Sequence, residues 1–448
     1  MLAAAAIAFA ASSASQAATV TFINSNGNWD VASNWSSGAV PTASDDAQIG
    51  FLSGSTITTC VVNNTNNLFA NSVTLGDGNN LQRGQIFFDG GTLTVGGGSG
   101  VIQSGNGTAD GWAIFQNIYT NATDSYHAVV INAATVNVDS AYIGQGGTGG
   151  QYTIPVGQSW SGGGELVLGN ANGNANPGQG ILTINGSASF NTVIVSNGAT
   201  TYSSILTLAN GGSLNTGTLE LGTNGTGQVI WNDGTLGNLG SANMTVSGLN
   251  LQLAATGSHV FSVSTGNTAT VGSTAALVDQ TSGGTLDKAG GGTLVLNSAN
   301  TYTGATSVSG GVLTVNGSLA NSNITISSGA TVNGSGTLTY NLSNDTGNLI
   351  TDGGTLDISA LNLALNITGT QTQSKYVIAD YTGGALLGSA FASVTGLQNG
   401  WSINYGALQP NEIVLVNNAA VPEPASLGQL VAGILGLCLL GRRRKVSA

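Results

Sequence analysis

Apolar and polar residues alternate along this chain in short bursts, and each burst ends at glycine or asparagine. Thr293-Leu294-Val295-Leu296 and Val312-Leu313-Thr314-Val315 are both entered through a glycine cluster and left through Asn297 or Asn316-Gly317. A period near two with many β-branched residues predicts half-buried strands, and the Gly and Asn punctuation predicts turns. Similar words fill the chain, among them Val73-Thr74-Leu75-Gly76, Ala134-Thr135-Val136-Asn137-Val138, Glu165-Leu166-Val167-Leu168, Ile181-Leu182-Thr183-Ile184 and Ser204-Ile205-Leu206-Thr207-Leu208. Between Val61 and Leu286 no sustained 3.6-residue period competes with them, so helix is not expected there.

The bursts repeat one another. Gly90-Gly91-Thr92-Leu93-Thr94-Val95, Gly217-Thr218-Leu219-Glu220-Leu221, Gly283-Gly284-Thr285-Leu286 and Gly353-Gly354-Thr355-Leu356-Asp357-Ile358 share an opening, while Ile184-Asn185-Gly186 and Val332-Asn333-Gly334 share a close. Gly291 to Gly310 advances 19 residues and Asn316 to Asn333 advances 17. A degenerate period of roughly 20 residues, one or two strands and a turn each, is what β-solenoid rungs need, because one rung cannot bury its own apolar face and must stack on neighbours. The expected fold is all-β, a right-handed parallel β-helix of about twenty rungs, a rod about 100 Å long.

Both ends of such a rod need covers. Trp29 and Trp35, each preceded by asparagine, are expected to cap the first rung. Near the other end the glycine pairs thin out and aromatics gather in Lys375–Tyr381, Phe391–Leu397, Trp401–Tyr405 and Glu412–Val416, which read as a C-terminal cap of antiparallel strands. The organisation is therefore a degenerate solenoid with an aromatic cap over 18–286, one well-formed repeat over 287–317, and further rungs with the β cap over 318–418.

Composition agrees with many short strands. Seventy glycines and 6% charged residues lie far from globular averages, yet 41% apolar content is too hydrophobic for disorder. Four of the seven basic residues, Arg442, Arg443, Arg444 and Lys445, sit at the C-terminus, leaving Arg83, Lys288 and Lys375 against eighteen acids in the body. An acidic body with three cations has no footprint for nucleic acid. Cys60 has no partner in the body, since Cys438 lies in the C-terminal apolar segment, so stability must come from ladders and stacked rungs.

The termini read as address labels. Leu2 to Ala11 has the length of a signal-peptide core and Ser15-Gln16-Ala17 forms a small-x-small cleavage site, with cleavage after Ala17 and residues 1–17 removed. The basic segment that should precede it is missing, as it would be if the true start lay upstream. At the far end Val421-Pro422-Glu423-Pro424 precedes the apolar stretch Leu427–Leu440 and then Arg442–Lys445. Fourteen apolar residues fall short of the ~20 that span a bilayer, and counting from Ala425 to Gly441 helps. The segment is expected to be a single transmembrane helix with the basic cluster as its stop signal at the cytoplasmic face.

The order of these C-terminal elements over residues 421–445 resembles the PEP-CTERM protein-sorting signal of Gram-negative bacteria. The resemblance implies recognition at Pro422-Glu423-Pro424 by an exosortase-type membrane protease, export, and an association with extracellular polysaccharide. The stretch Asp287–Gly317 resembles the autotransporter-associated β-strand repeat: Lys288, Gly290, Gly292-Thr293-Leu294, Leu296, Asn300-Thr301-Tyr302-Thr303-Gly304, Thr306, Val308, Gly311, Leu313 and Val315 all fall in its pattern. That resemblance implies a passenger-type β-helix. It departs from the family in its C-terminus, where the Arg-rich tail stands in place of a membrane barrel.

No catalytic constellation is present, and no cofactor or metal set. His127 and His259 are isolated, no Gly-x-Ser-x-Gly, His-Glu-x-x-His or Cys-x-x-Cys occurs, and the glycine clusters lack a phosphate-loop lysine. Asp45 with Asp46 and Asp352 with Asp357 are single carboxylate pairs without a recognisable frame for glycoside hydrolysis, and Asp45 with Asp46 could ligate calcium. The expectation is a non-catalytic, exported protein of the cell envelope or extracellular surface, structural or adhesive, with exopolysaccharide or envelope glycans as its partner. The alternatives are a polysaccharide-binding module and a β-helical polysaccharide-degrading enzyme. The tryptophans separate the readings: three or more of Trp29, Trp35, Trp112, Trp160, Trp231 and Trp401 on one exposed face would favour sugar binding.

Overall fold

The computed structural model describes residues 17–51, 57–63, 67–75, 83–89, 92–95, 102–104, 128–132, 135–137, 141–145, 150–170, 179–198, 203–320 and 323–418. Short parallel strands wind through them as a solenoid of the right-handed type, and the one helical element among the described residues is a 3-10 turn at Ala32–Asn34. Each strand reaches its parallel stacking partner by crossing over the other faces, a connection that proteins make almost always in the right-handed sense. Four strands in each of two N-terminal sheets begin the stack, starting at Ala18–Thr21 and Asn26–Asn28. From Gly150–Ile154 to Ser393–Thr395, eleven turns follow.

Alternation decides which side chains go in. Gly180–Ile184 and Ser204–Leu208 both bury every second residue, and parallel stacking in register turns each inward residue into one step of a ladder. One ladder runs Ala141, Leu166, Val193, Leu219, Val246, Val271, Leu296, Val315, each paired with the next across adjoining parallel strands, and every member is buried. Each buried Val or Leu removed from water is worth roughly 1.5–3 kcal/mol. A ladder distributes that gain evenly along the rod, so each turn is held by its neighbours.

A turn holds three strands, where the sequence pattern suggested one or two. Some long strands serve two faces: Ser159–Asn170 stacks on Ser187–Asn197 with a register shift between Gly162 and Glu165, where the chain rounds a corner without breaking its ladder. The turns are also longer than the sequence period. Ala299, Ser318 and Thr337 stack at steps of 19 residues, but Leu251 to Leu277 takes 26, Thr337 to Asn362 takes 25 and Asn362 to Ser393 takes 31. The step of 18 to 19 residues, Thr306 to Ile324 taking 18, is thus the minimum circuit of three faces, and the longer turns add loops at corners, such as the hairpin pairing Ser343 with Thr346. Longer turns make fewer rungs than twenty and a shorter rod, the eleven turns covering roughly 50 Å.

Aromatic packing marks the start and antiparallel pairing the end. At the start Trp35 lies edge-on to Phe22 and Trp29 at ring distances of 5.2 and 4.8 Å, its Nε1 donates to the Trp29 carbonyl at 2.7 Å, and all three rings are buried. At the end Lys375–Asp380 lies parallel to Ile350–Asp352 on one side and antiparallel to Glu412–Asn417 on the other, and Glu412–Asn417 pairs antiparallel with Trp401–Tyr405. Reversing strand direction stops one face from propagating.

The ladders pass without interruption through Asp287 and Gly317, where the repeat unit begins and ends. Residues 1–16, which hold most of the expected signal peptide, lie outside the described residues, and Ala17 directly precedes the first strand. The expected sorting and membrane segment at 421–445 also lies outside them. Among the described residues no helix is long and apolar enough to cross a membrane.

Candidate functional site

The polar residues of the unit at 287–317 are where chemistry would be sought, and the fold turns Lys288, Asn300 and Thr306 into the rod. Leu286–Ala289 buries Leu286, so the residue two positions on, Lys288, also points inward. It stacks between Phe261 of the turn before and Val308 of the turn after. Its side chain is 0% exposed. Nζ donates to the carbonyls of Ala289 at 2.8 Å, Gly290 at 3.0 Å and Gly310 at 3.0 Å, using all three of its hydrogens. Two of these acceptors belong to its own corner and the third to the corner of the next turn, so the ammonium clamps two rungs. Burial pushes its pKa down to about 8, and the neighbouring Asp287 carboxylate opposes that shift.

Asn300 performs the same service on another face. It is fully buried, its Oδ1 accepts from Leu277 N at 3.0 Å in the preceding turn, and its Nδ2 donates to Ser298 O at 2.8 Å and Ser318 O at 3.2 Å. One amide therefore spans three turns. Tyr302 is buried with its hydroxyl 2.5 Å from Thr306 Oγ1, and Thr303 Oγ1 donates to Asp279 Oδ2 at 2.5 Å. Gly304 has no room for a side chain: a Cβ there would lie 2.3 Å from the Gly284 carbonyl oxygen and 2.6 Å from that of Gly283.

The carboxylates singled out in the sequence are spread over separate hydrogen bonds. Asp45 accepts from Thr42 N and Oγ1, and Asp46 Oδ1 accepts from Asn71 Nδ2 and Ser72 Oγ. The Asp352 and Asp357 carboxylates do different things. Asp357 Oδ1 accepts from Ser359 N. Asp352 is buried on the inward ladder beyond Ile326, its Oδ1 accepts from Gly354 N at 2.8 Å, its Oδ2 has no partner, and burial raises its pKa. No cluster of three or more metal-ligating side chains occurs among the described residues.

His259 is buried with Nδ1 2.8 Å from the Thr285 carbonyl and its ring edge-on to Trp231, and burial lowers its pKa. Cys60 is a buried free thiol whose pKa burial raises, the Asp30 carboxylate adding to it. His127 and Trp112 lie outside the described residues. Of the five described tryptophans, Trp29, Trp35, Trp160 and Trp231 are buried, and half-buried Trp401 stacks on Tyr376 at 5.8 Å. No exposed aromatic face is formed by them.

The processing residues Val421, Pro422, Glu423 and Pro424 and the basic residues Arg442, Arg443, Arg444 and Lys445 are outside the described residues. What sequence reading missed is the inward direction of Lys288 and Asp352. Strand parity carried the signal, since both follow an inward Leu286 or Ile350 by two residues.

Comparison with known proteins gives one finding. A family model described as the passenger-associated-transport-repeat matches residues 286–315, the unit that holds Lys288, Asn300 and Gly304. No curated protein and no solved structure matches the chain.

Proposed function

We propose that this chain is an exported, non-catalytic surface rod, a passenger-like β-solenoid with a structural or adhesive role in an envelope that carries exopolysaccharide. One observation supports it above the others: Lys288 and Asn300 of its best-formed repeat, polar side chains that in an enzyme or lectin would face a substrate, are turned inward and spent on joining rungs. The buried tryptophans point the same way, because a stacking platform for sugars needs exposed rings.

Its address comes from the termini. Cleavage after Ala17 would release the solenoid from its export signal, and an exosortase-type membrane protease would act at Pro422-Glu423-Pro424 while the segment Leu427–Leu440 sits in the membrane with Arg442–Lys445 on the cytoplasmic side. Envelope glycans are the partner expected of such a rod. The test replaces Pro422, Glu423 and Pro424 with alanine in the producing cell. An unprocessed chain held in the membrane fraction, with wild-type protein digested by protease added to intact cells, is the expected pair of results. Wild-type processing near residue 420 in the variant would refute the sorting assignment, and protection of wild-type protein in intact cells would refute surface display. Cleavage of any polysaccharide by the purified chain, lost on changing a single aspartate, would refute the non-catalytic reading.

A further inference from the structure

The two ends of the rod are finished differently. Three buried rings close the N-terminal end, but at the other end the hairpin covers one face and leaves two strands half paired. Ala385–Leu387 pairs only with Thr355–Asp357, and Ser393–Thr395 only with Asn362–Ala364, among the described residues. The same terminal turn and hairpin expose Leu387 at 49%, Leu397 at 43% and Leu408 at 64%, three of the eight large hydrophobic residues exposed among those described. Residues 381–411 contain no charged side chain. Tyr381, Trp401 and Tyr405, amphipathic rings of the kind that settle at membrane interfaces, lie half-buried in this segment.

We propose that this end of the solenoid rests on the lipid surface, with Leu408 as its deepest contact. The inference rests on the proposed membrane segment of the same chain. Only eight residues separate Asn418, where the hairpin ends, from Leu427, where the apolar stretch starts. Fully extended they reach at most about 30 Å, which holds the terminal turn near the headgroups. Charge selects the same end: a body with eighteen acids and three cations is repelled by an anionic surface along its flanks, whereas the charge-free turn is tolerated. Depth is limited by the half-paired strands, whose free N–H and C=O groups would be costly in hydrocarbon and are satisfied among headgroups and water. On the rim Asp380 and Glu412 stand opposite each other across the strand pair, with Lys375 3.8 Å from Glu412, so contact is expected to be firmer on zwitterionic than on anionic lipid.

The full chain carrying Cys438→Ser, which leaves only the buried Cys60, is placed one copy per phosphatidylcholine nanodisc and given single cysteines by Leu408→Cys, Leu397→Cys, Leu387→Cys or Val156→Cys. Val156 is 71% exposed on a turn near the far end of the eleven-turn stack and serves as the control. Labelling by a water-soluble maleimide is expected to slow at Leu408→Cys by at least about tenfold relative to Val156→Cys, a partition free energy of about 1.4 kcal/mol. Smaller slowing is expected at the other two positions. Equal rates in a chain that the disc retains would overturn the proposal and leave the anchor standing. Slowing only in discs that hold two copies would overturn it in favour of self-association. A chain that discs do not retain would overturn the anchor, and this contact with it.

Discussion

Replacing Lys288 with methionine tests whether a buried ammonium, rather than apolar stacking alone, joins the repeat to its neighbours. Methionine keeps the length and the apolar stem but brings no donors. The Ala289 carbonyl keeps a second partner, Val263 N at 3.0 Å, whereas the Gly290 and Gly310 carbonyls lose the ammonium as their donor. Each buried acceptor left unpaired costs about 1–3 kcal/mol, and relief from burying a charge offsets part of this, so a net loss of about 3 kcal/mol is expected. In a linear stack that loss falls on the turns containing 286–315 and their immediate neighbours rather than on the whole rod. Hydrogen exchange read by mass spectrometry should therefore accelerate about a hundredfold in peptides covering 286–315 and stay unchanged around 204–231. The sign with pH follows from the pKa of about 8, below the ordinary lysine value of 10.5. The unfolded chain binds the proton more tightly, so denaturant stability should rise between about pH 8 and 10.5, by at most about 1.4 kcal/mol per pH unit, and the slope should vanish in Lys288→Met. Unchanged exchange in the variant, or the same pH slope in both proteins, would refute the clamp.

Asn300→Ala strips an amide from three turns at once and should lower stability by about 2–4 kcal/mol, with faster exchange at Leu277 and near Ser318; loss confined to its own turn would contradict the bridging geometry. Gly304→Ala drives a Cβ into two backbone carbonyls, while Gly329→Ala meets open space and carries only the strain of φ +80°, so thermal melts should show the first to be the more damaging, the second costing about 1–2 kcal/mol. Trp35→Ala opens the N-terminal cover and should cost about 3–5 kcal/mol there, raising protease nicking near residue 22 ahead of any change in the C-terminal turns.

Many elements are legible in the sequence. Thr293–Leu296, Val312–Val315, Ser204–Leu208 and Trp401–Tyr405 are strands with the bounds their alternation suggests, and the strands after Lys375 pair antiparallel as the change of texture suggested. Less was legible about sites. Lys288, Asn300 and Asp352 look in the sequence like any surface polar residue, because a buried polar group differs from an exposed one only in what surrounds it.

By itself, then, the sequence determined the alternation of short strands with Gly and Asn turns and the 19-residue step of the best-formed repeat, both local properties carried by neighbours along the chain. Only the tertiary structure decided that three strands make a turn, that the turn ranges from 18 to 43 residues among the described strands, and that Lys288 and Asn300 of the repeat are partners of carbonyls and amides one turn away. The reason is that stacking pairs residues 18 to 43 apart, and which backbone group arrives beside a given side chain depends on the loops spent at every corner between them.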